Sequence, residues 1–268
     1  MEFVRTSLTE EERVQSIKKL GAADEDMNAL LEFTKNVFIP RQYGEDNQPP
    51  QDELSLKWPD IWAKAQALCQ TPPRLEMFGS AAGTIPIIYP GSTADYEKLL
   101  REIVYKGKEV AHIERMGASF VHGKTLRFII LSNKPYSGVT AEDMGLTESD
   151  WQTKSMTIRK HHECTHYYTK RFLGASRNHP HDELIADFCG LYAAFGEYNA
   201  ELFMMFYDIR SAIYTKGLSP AAAAAIHSLM AAAAAGVENW TNTDGFKQMG
   251  EAGRIDYLAN KELLEYIK

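Results

Sequence analysis

The sequence predicts an α+β chain that is mostly helical, with a small sheet bearing a free edge strand beside a central helix and an all-helical C-terminal part. Three observations carry this expectation. Capped segments with apolar residues at helical spacing occupy both ends of the chain. Short runs rich in β-branched residues are confined to residues 84–131. A long capped helical segment begins at Thr147, and no strand pattern recurs after it.

In chain order, Thr9-x-x-Glu12 is a capping box, with Val14, Ile17 and Leu20 at helical spacing and Gly21 as the stop. Asp24 is read as the cap of a second helix carrying Met27, Leu30, Leu31, Thr34 and Phe38, closed by Pro40. Residues 41–57, with Pro49-Pro50, read as a loop, and 59–69 as a helix with Pro59 in its first turn. Residues 84–89 read as a strand, and Pro86 argues that it lies at an edge, because proline has no N–H for a ladder. A capped helix spans about 93–105. Residues 110–115 and 119–122 are possible strands, 125–131 is a strand, and His122-Gly123-Lys124 turns between the last two. After a loop over 133–138, Thr147-x-x-Asp150 starts the long helix, which Gly174 ends. Pro180 opens the next helix, which runs past Cys189 towards Phe195. Helices follow over about 199–216, 219–235 and 261–267, with Ser219-Pro220 as cap and first-turn proline. The expected organisation is a helical layer over 1–75, an α+β part over 76–195 and a helical part over 196–268, joined in one compact unit.

With 268 residues, 44% hydrophobic and 24% charged, the chain matches an ordinary soluble globular protein able to bury a sizeable core. The net charge of −7 and the lack of any long Lys/Arg cluster argue against nucleic acid as a partner. Lys106-Gly107-Lys108 and Thr169-Lys170-Arg171 read as solvated faces. No apolar h-region follows Met1, and the alanine runs 221–225 and 231–235 are too short to span a bilayer, with His227 and Ser228 between them. No membrane partner is expected. Three widely spaced cysteines (Cys69, Cys164 and Cys189) suggest a reduced, cytoplasmic protein. No internal repeat is visible.

The chemistry concentrates in the long helix, at His162-Glu163-Cys164-Thr165-His166. Two histidines four apart share one helix face, so both imidazoles can grip one metal ion. Glu163, directly after the first, stands where it can take a proton from an activated water. A third ligand is available downstream. Glu183 and Asp187 are four apart on the next helix, so Glu183 can complete the set and Asp187 can accept a hydrogen bond from a ligand imidazole. Asp182 and His181 are alternative third ligands, since a loop-to-helix junction can present several side chains. Cys164 points away from the histidine face and reads as packing.

His162-Glu163-x-x-His166 followed by Glu183-x-x-x-Asp187 resembles the gluzincin zinc metallopeptidases of the thermolysin type, over residues 147–195. The metzincin branch is rejected: Thr169 and Phe172 stand where its glycine and third histidine would fall. The resemblance implies a zincin-like active-site helix, zinc held by His162, His166 and Glu183, Glu163 as general base, and Asp187 behind the ligands. It also implies an edge strand that holds a peptide or protein substrate. The donor for the developing oxyanion is left open among Arg177 and His181, with Tyr167, Tyr168, His179 and a later-helix histidine, His227, behind them. His227 reads first as a packed helical histidine, and His161, His112 and His122 as surface or structural. Two other readings stand beside this one. Glu109-x-x-His112 and Glu163-x-x-His166 on facing helices would make a di-iron carboxylate site. A metal-bound domain without turnover would serve as a binding or regulatory module.

Overall fold

The structure, a computed structural model, describes residues 8–39, 58–123, 126–175 and 179–267. The loop expected over 41–57 and Pro40 lie outside the described residues. The fold is α+β with a small mixed sheet and a helical C-terminal part, as the sequence predicts. The chain divides into two compact units, Gln42–Tyr168 and Met1–Arg41 with Thr169–Lys268. The division does not follow the boundaries at 75/76 and 195/196: one limit falls inside a single helix, and the N-terminal helices group with the C-terminal ones.

The first of these units is built on strands β1 (Arg74–Ser80), β2 (Gly83–Tyr89), β3 (Ala118–His122) and β4 (Arg127–Leu131), in the order β1-β2-β4-β3. β1 was not expected from the sequence. It pairs antiparallel with β2, and the reversal is tied by Ser80, whose Oγ donates to the Gly83 carbonyl at 2.7 Å. β2 therefore lies inside the sheet, not at an edge. Pro86 is tolerated because the parallel pairing with β4 involves only Ile87 and Ile88, so at Pro86 only the β1 side, through Met77, is paired. One sheet face carries Ile88, Phe128 and Ile130. It packs with Tyr96 and Leu99 of α4 (Thr93–Leu99), with Leu100 and Ile103 of the π-helical turn that prolongs it, and with Ala65 of α3 (Trp58–Leu68). The other face meets the long helix: Phe78 of β1 lies edge-on to His161, and Phe120 of β3 edge-on to Tyr167, with ring centroids 5.4 and 5.8 Å apart. The strand expected at 110–115 is instead a turn ending in a 3-10 turn at Ile113–Arg115, with His112 at φ 59°. Ile113 alone is buried there among exposed neighbours, so no half-buried strand face exists.

The second unit begins with α1 (Glu10–Lys19), opened by the Thr9/Glu12 capping box, and α2 (Met27–Thr34). Asp24 does not cap α2 but starts a 3-10 turn at its head. These helices are tied to the C-terminal region by Arg13 with Glu262, Ser219 with Asp26, and Asn36 donating to the Ala259 carbonyl. Helices α6 (Pro180–Phe195), α7 (Ala200–Tyr214), α8 (Pro220–Thr241), α9 (Asp244–Lys247) and α10 (Glu251–Asn260) complete it, with a final 3-10 turn at Leu263–Tyr266. α9 and α10 were not expected. α8 runs 22 residues, longer than expected, and is long and apolar enough to cross a membrane by length and composition. Its buried positions, Ala222, Ala225, Ile226, Leu229, Met230, Ala233, Ala234, Val237 and Trp240, recur every three or four residues, and that stripe packs in the core of this unit. Trp240 joins Phe188, Tyr192, Tyr198 and Phe246 in an aromatic cluster. Thr169 and Arg171 are buried, not solvated, whereas Lys106 and Lys108 are exposed.

Candidate metal centre

Helix α5 (Glu148–Phe172) starts where the Thr147 hydroxyl accepts the Asp150 N–H at 3.1 Å. Without an interior glycine or proline it continues for 25 residues, which carries His162 and His166 one turn apart. Gly174, at φ 64°, ends it, and a Cβ there would come within 2.8 Å of the Ile39 carbonyl oxygen, so a larger residue is excluded on both counts. α6 begins at Pro180 behind an unusual cap, the His179 ring nitrogen Nδ1, which accepts the His181 N–H at 3.2 Å.

His162 Nε2 and His166 Nε2 lie 3.0 Å apart, with the rings nearly perpendicular. Ligand atoms of His162, His166 and Glu183 all lie within 4.8 Å of one another, and all three residues are buried. This buried group can hold a metal ion. A tetrahedral zinc with Zn–N of about 2.0–2.1 Å sets its two nitrogens roughly 3.3 Å apart, so the imidazoles need to open by only a few tenths of an ångström. Two imidazoles and one carboxylate are a donor set that divalent transition-metal ions accept. Of the three residues weighed as third ligand, Glu183 is the one whose carboxylate meets the histidines. Glu163 is partly exposed, next to His162. Cys164 is buried, and no disulfide joins it to Cys69 or Cys189.

Beside this group, the Arg210 guanidinium of α7 contacts two acidic residues of α6: Nη2 meets Asp187 Oδ2, and Nη1 lies 3.5 Å from Glu183 Oε2. Asp187 is fully buried, and a carboxylate so placed needs a cation or hydrogen bonds to remain charged. Arg210 was missed from the sequence. Its signal was there: it falls three or four residues after the buried Phe206 and Tyr207, so a charge continues an apolar stripe. Tyr136, also missed, places its hydroxyl 3.0 Å from His162 Nδ1.

The expected oxyanion donors fare differently. Arg177 lies outside the described residues. His181 is buried, donates Nε2–H to the Leu258 carbonyl at 3.1 Å and packs edge-on against Phe38. Burial, and after it the neighbouring His179, push its pKa down to about 3. Its one N–H is thus committed to holding α6 against α10, which corrects the expectation that it serves substrate. His179 donates to the Phe33 carbonyl, and burial lowers its pKa too. His227 is not packed: half-exposed, it pairs with Asp208 at 2.9 Å. Tyr167 is buried beside Phe120. His112 is exposed beside Glu114, and no helix carries Glu109-x-x-His112, so the second pair of a di-iron site does not form.

No curated protein and no solved structure matches the chain. A family model described as a family of unknown function (DUF7005) matches residues 124–265. That match takes in Tyr136, the α5 motif, Glu183, Asp187 and Arg210 and spans more than half of the chain, which therefore belongs to the DUF7005 family.

Proposed function

We propose that the chain is a zinc-dependent hydrolase, most concretely a metallopeptidase acting on peptide or protein substrates, in line with its resemblance to the gluzincins. One observation carries the reading: the buried convergence of His162, His166 and Glu183, with a partly exposed carboxylate, Glu163, next to the first ligand. Metal binding alone has no need of Glu163, whereas hydrolysis does. His162, His166 and Glu183 would hold zinc, which would supply a Lewis acid for acidifying water and polarising a carbonyl. Glu163 accepts a proton from the attacking water at its carboxylate and delivers it to the leaving amine nitrogen. Arg210 holds Glu183 and Asp187 in place by charge-assisted contacts.

The test is Glu163→Gln. The variant should bind zinc at wild-type stoichiometry and lose hydrolysis of a peptide library by at least 100-fold, the scale of a lost general base. Turnover at the wild-type rate in Glu163→Gln would refute the role. Zinc binding by wild type with no hydrolysis of any library member would favour a regulatory module.

A further inference from the structure

The segment from Ser132 to Val139 is laid antiparallel along α5 and is gripped by one stripe of that helix. Trp151, Ser155, Arg159 and His162 fall at successive turns of one face, and all four are buried. Trp151 Nε1 donates to the Val139 carbonyl at 2.7 Å. The Tyr136 N–H donates to Ser155 Oγ at 3.0 Å. Arg159 donates to the carbonyls of Ser132 at 2.9 Å and Pro135 at 3.2 Å. Gly117 leaves room for that guanidinium, since a Cβ there would sit 2.9 Å from Arg159 Nε. Directly after Tyr136 the backbone turns through two left-handed residues, Ser137 at φ 52° and Gly138 at φ 76°. A non-glycine residue in that region costs on the order of 1 kcal/mol and persists where its surroundings over-determine it. Four hydrogen bonds and a strained turn thus present one side chain, the buried phenol of Tyr136, to His162 Nδ1.

We propose that Tyr136 is the positioning residue of the metal centre: its phenol oxygen accepts the Nδ1–H of His162 and so holds the imidazole in the tautomer that offers Nε2 to the ion. This rests on the reading of His162, His166 and Glu183 as a metal site. An imidazole ligating through Nε2 carries its proton on Nδ1, and the partner of that proton fixes the ring's orientation. Here the partner is a neutral phenol. It orients His162 without adding a negative charge to those of the site's carboxylates, of which Arg210 contacts Glu183 and Asp187.

The test compares zinc affinity, by chelator competition, in the full-length wild type, Tyr136→Phe and His166→Ala. Tyr136→Phe keeps the ring and removes only the hydroxyl. It should weaken zinc binding roughly 10–100-fold and alter the visible absorption of the cobalt-substituted protein, while His166→Ala should lose zinc. Wild-type affinity in Tyr136→Phe alongside loss in His166→Ala would overturn the positioning role and leave the metal site standing. Wild-type affinity in His166→Ala would overturn the metal site and this role with it. A measurement on wild type guards against a variant that does not fold: by nitrogen-15 NMR of the zinc-loaded protein, His162 Nδ1 should carry a proton protected from solvent exchange. An Nδ1 proton that exchanges as fast as that of an exposed imidazole would overturn the proposal.

Discussion

Asp95 shows how single side chains hold this fold. It is buried at the start of α4, where its carboxylate accepts the N–H groups of Gln70 at 2.7 Å and Thr71 at 3.1 Å and the Ser92 hydroxyl at 2.9 Å. Burial raises its pKa, but these three donors outweigh burial and hold the carboxyl below its usual range. The folded state therefore binds its proton later than the unfolded state as pH falls. The stabilisation is complete above the ordinary carboxylate range and is lost as pH drops through the lowered folded value. Asp95→Asn should lower stability by about 1–3 kcal/mol at neutral pH, and the gap to wild type should narrow in acid. Urea melts at pH 7 and pH 3 check this, and an unchanged gap would contradict it. At this scale the grouping of His162, His166 and Glu183 was legible in the sequence because helical spacing places residues four apart on one face. Tyr136 was not, because it sits in an irregular loop with no period to read, and Arg210 left only the weaker sign of a charge continuing the apolar stripe of Phe206 and Tyr207.

At the scale of elements, legibility followed the caps. Thr9, Ser92, Thr147, Asn199 and Ser219 each accept the N–H expected of a cap, so the helix starts were readable. β1 was hard to read because one of its faces mixes polar and apolar residues and it carries no β-branched residue. Arg74, Glu76 and Phe78 point one way, and besides Arg74 the partners of Glu76 are Tyr89 and Lys160, neither of them near it in sequence. α8 extends past its alanine runs because Val237 and Trp240 continue its buried stripe. Gly236 belongs to that helix for a packing reason: a Cβ there would lie 2.4 Å from the Tyr266 ring. Alanine would gain about 1 kcal/mol of helix propensity, but overpacking costs about 1–3 kcal/mol. Gly236→Ala should therefore be neutral to destabilising, with Gly236→Val clearly worse, and thermal melts of the two decide it. A rise in melting temperature for both would show that Tyr266 moves aside freely.

For the whole molecule, composition and periodicity predicted an α+β chain but not how its segments group. The N-terminal helices join the C-terminal ones through Arg13–Glu262 and Ser219–Asp26, pairs 249 and 193 residues apart in sequence, a separation that no local pattern reports. An ion that binds the native chain and not the unfolded one stabilises the fold by mass action, about 2.7 kcal/mol at a hundredfold excess over the dissociation constant. Added zinc should therefore raise the melting temperature of wild type. The most direct test is elemental analysis of purified wild type and His166→Ala. About one zinc per chain is expected in wild type and none in the variant. Absence of metal from both, even after zinc is added, would mean that the buried group of His162, His166 and Glu183 is not a metal centre, and the proposed hydrolase would fall with it.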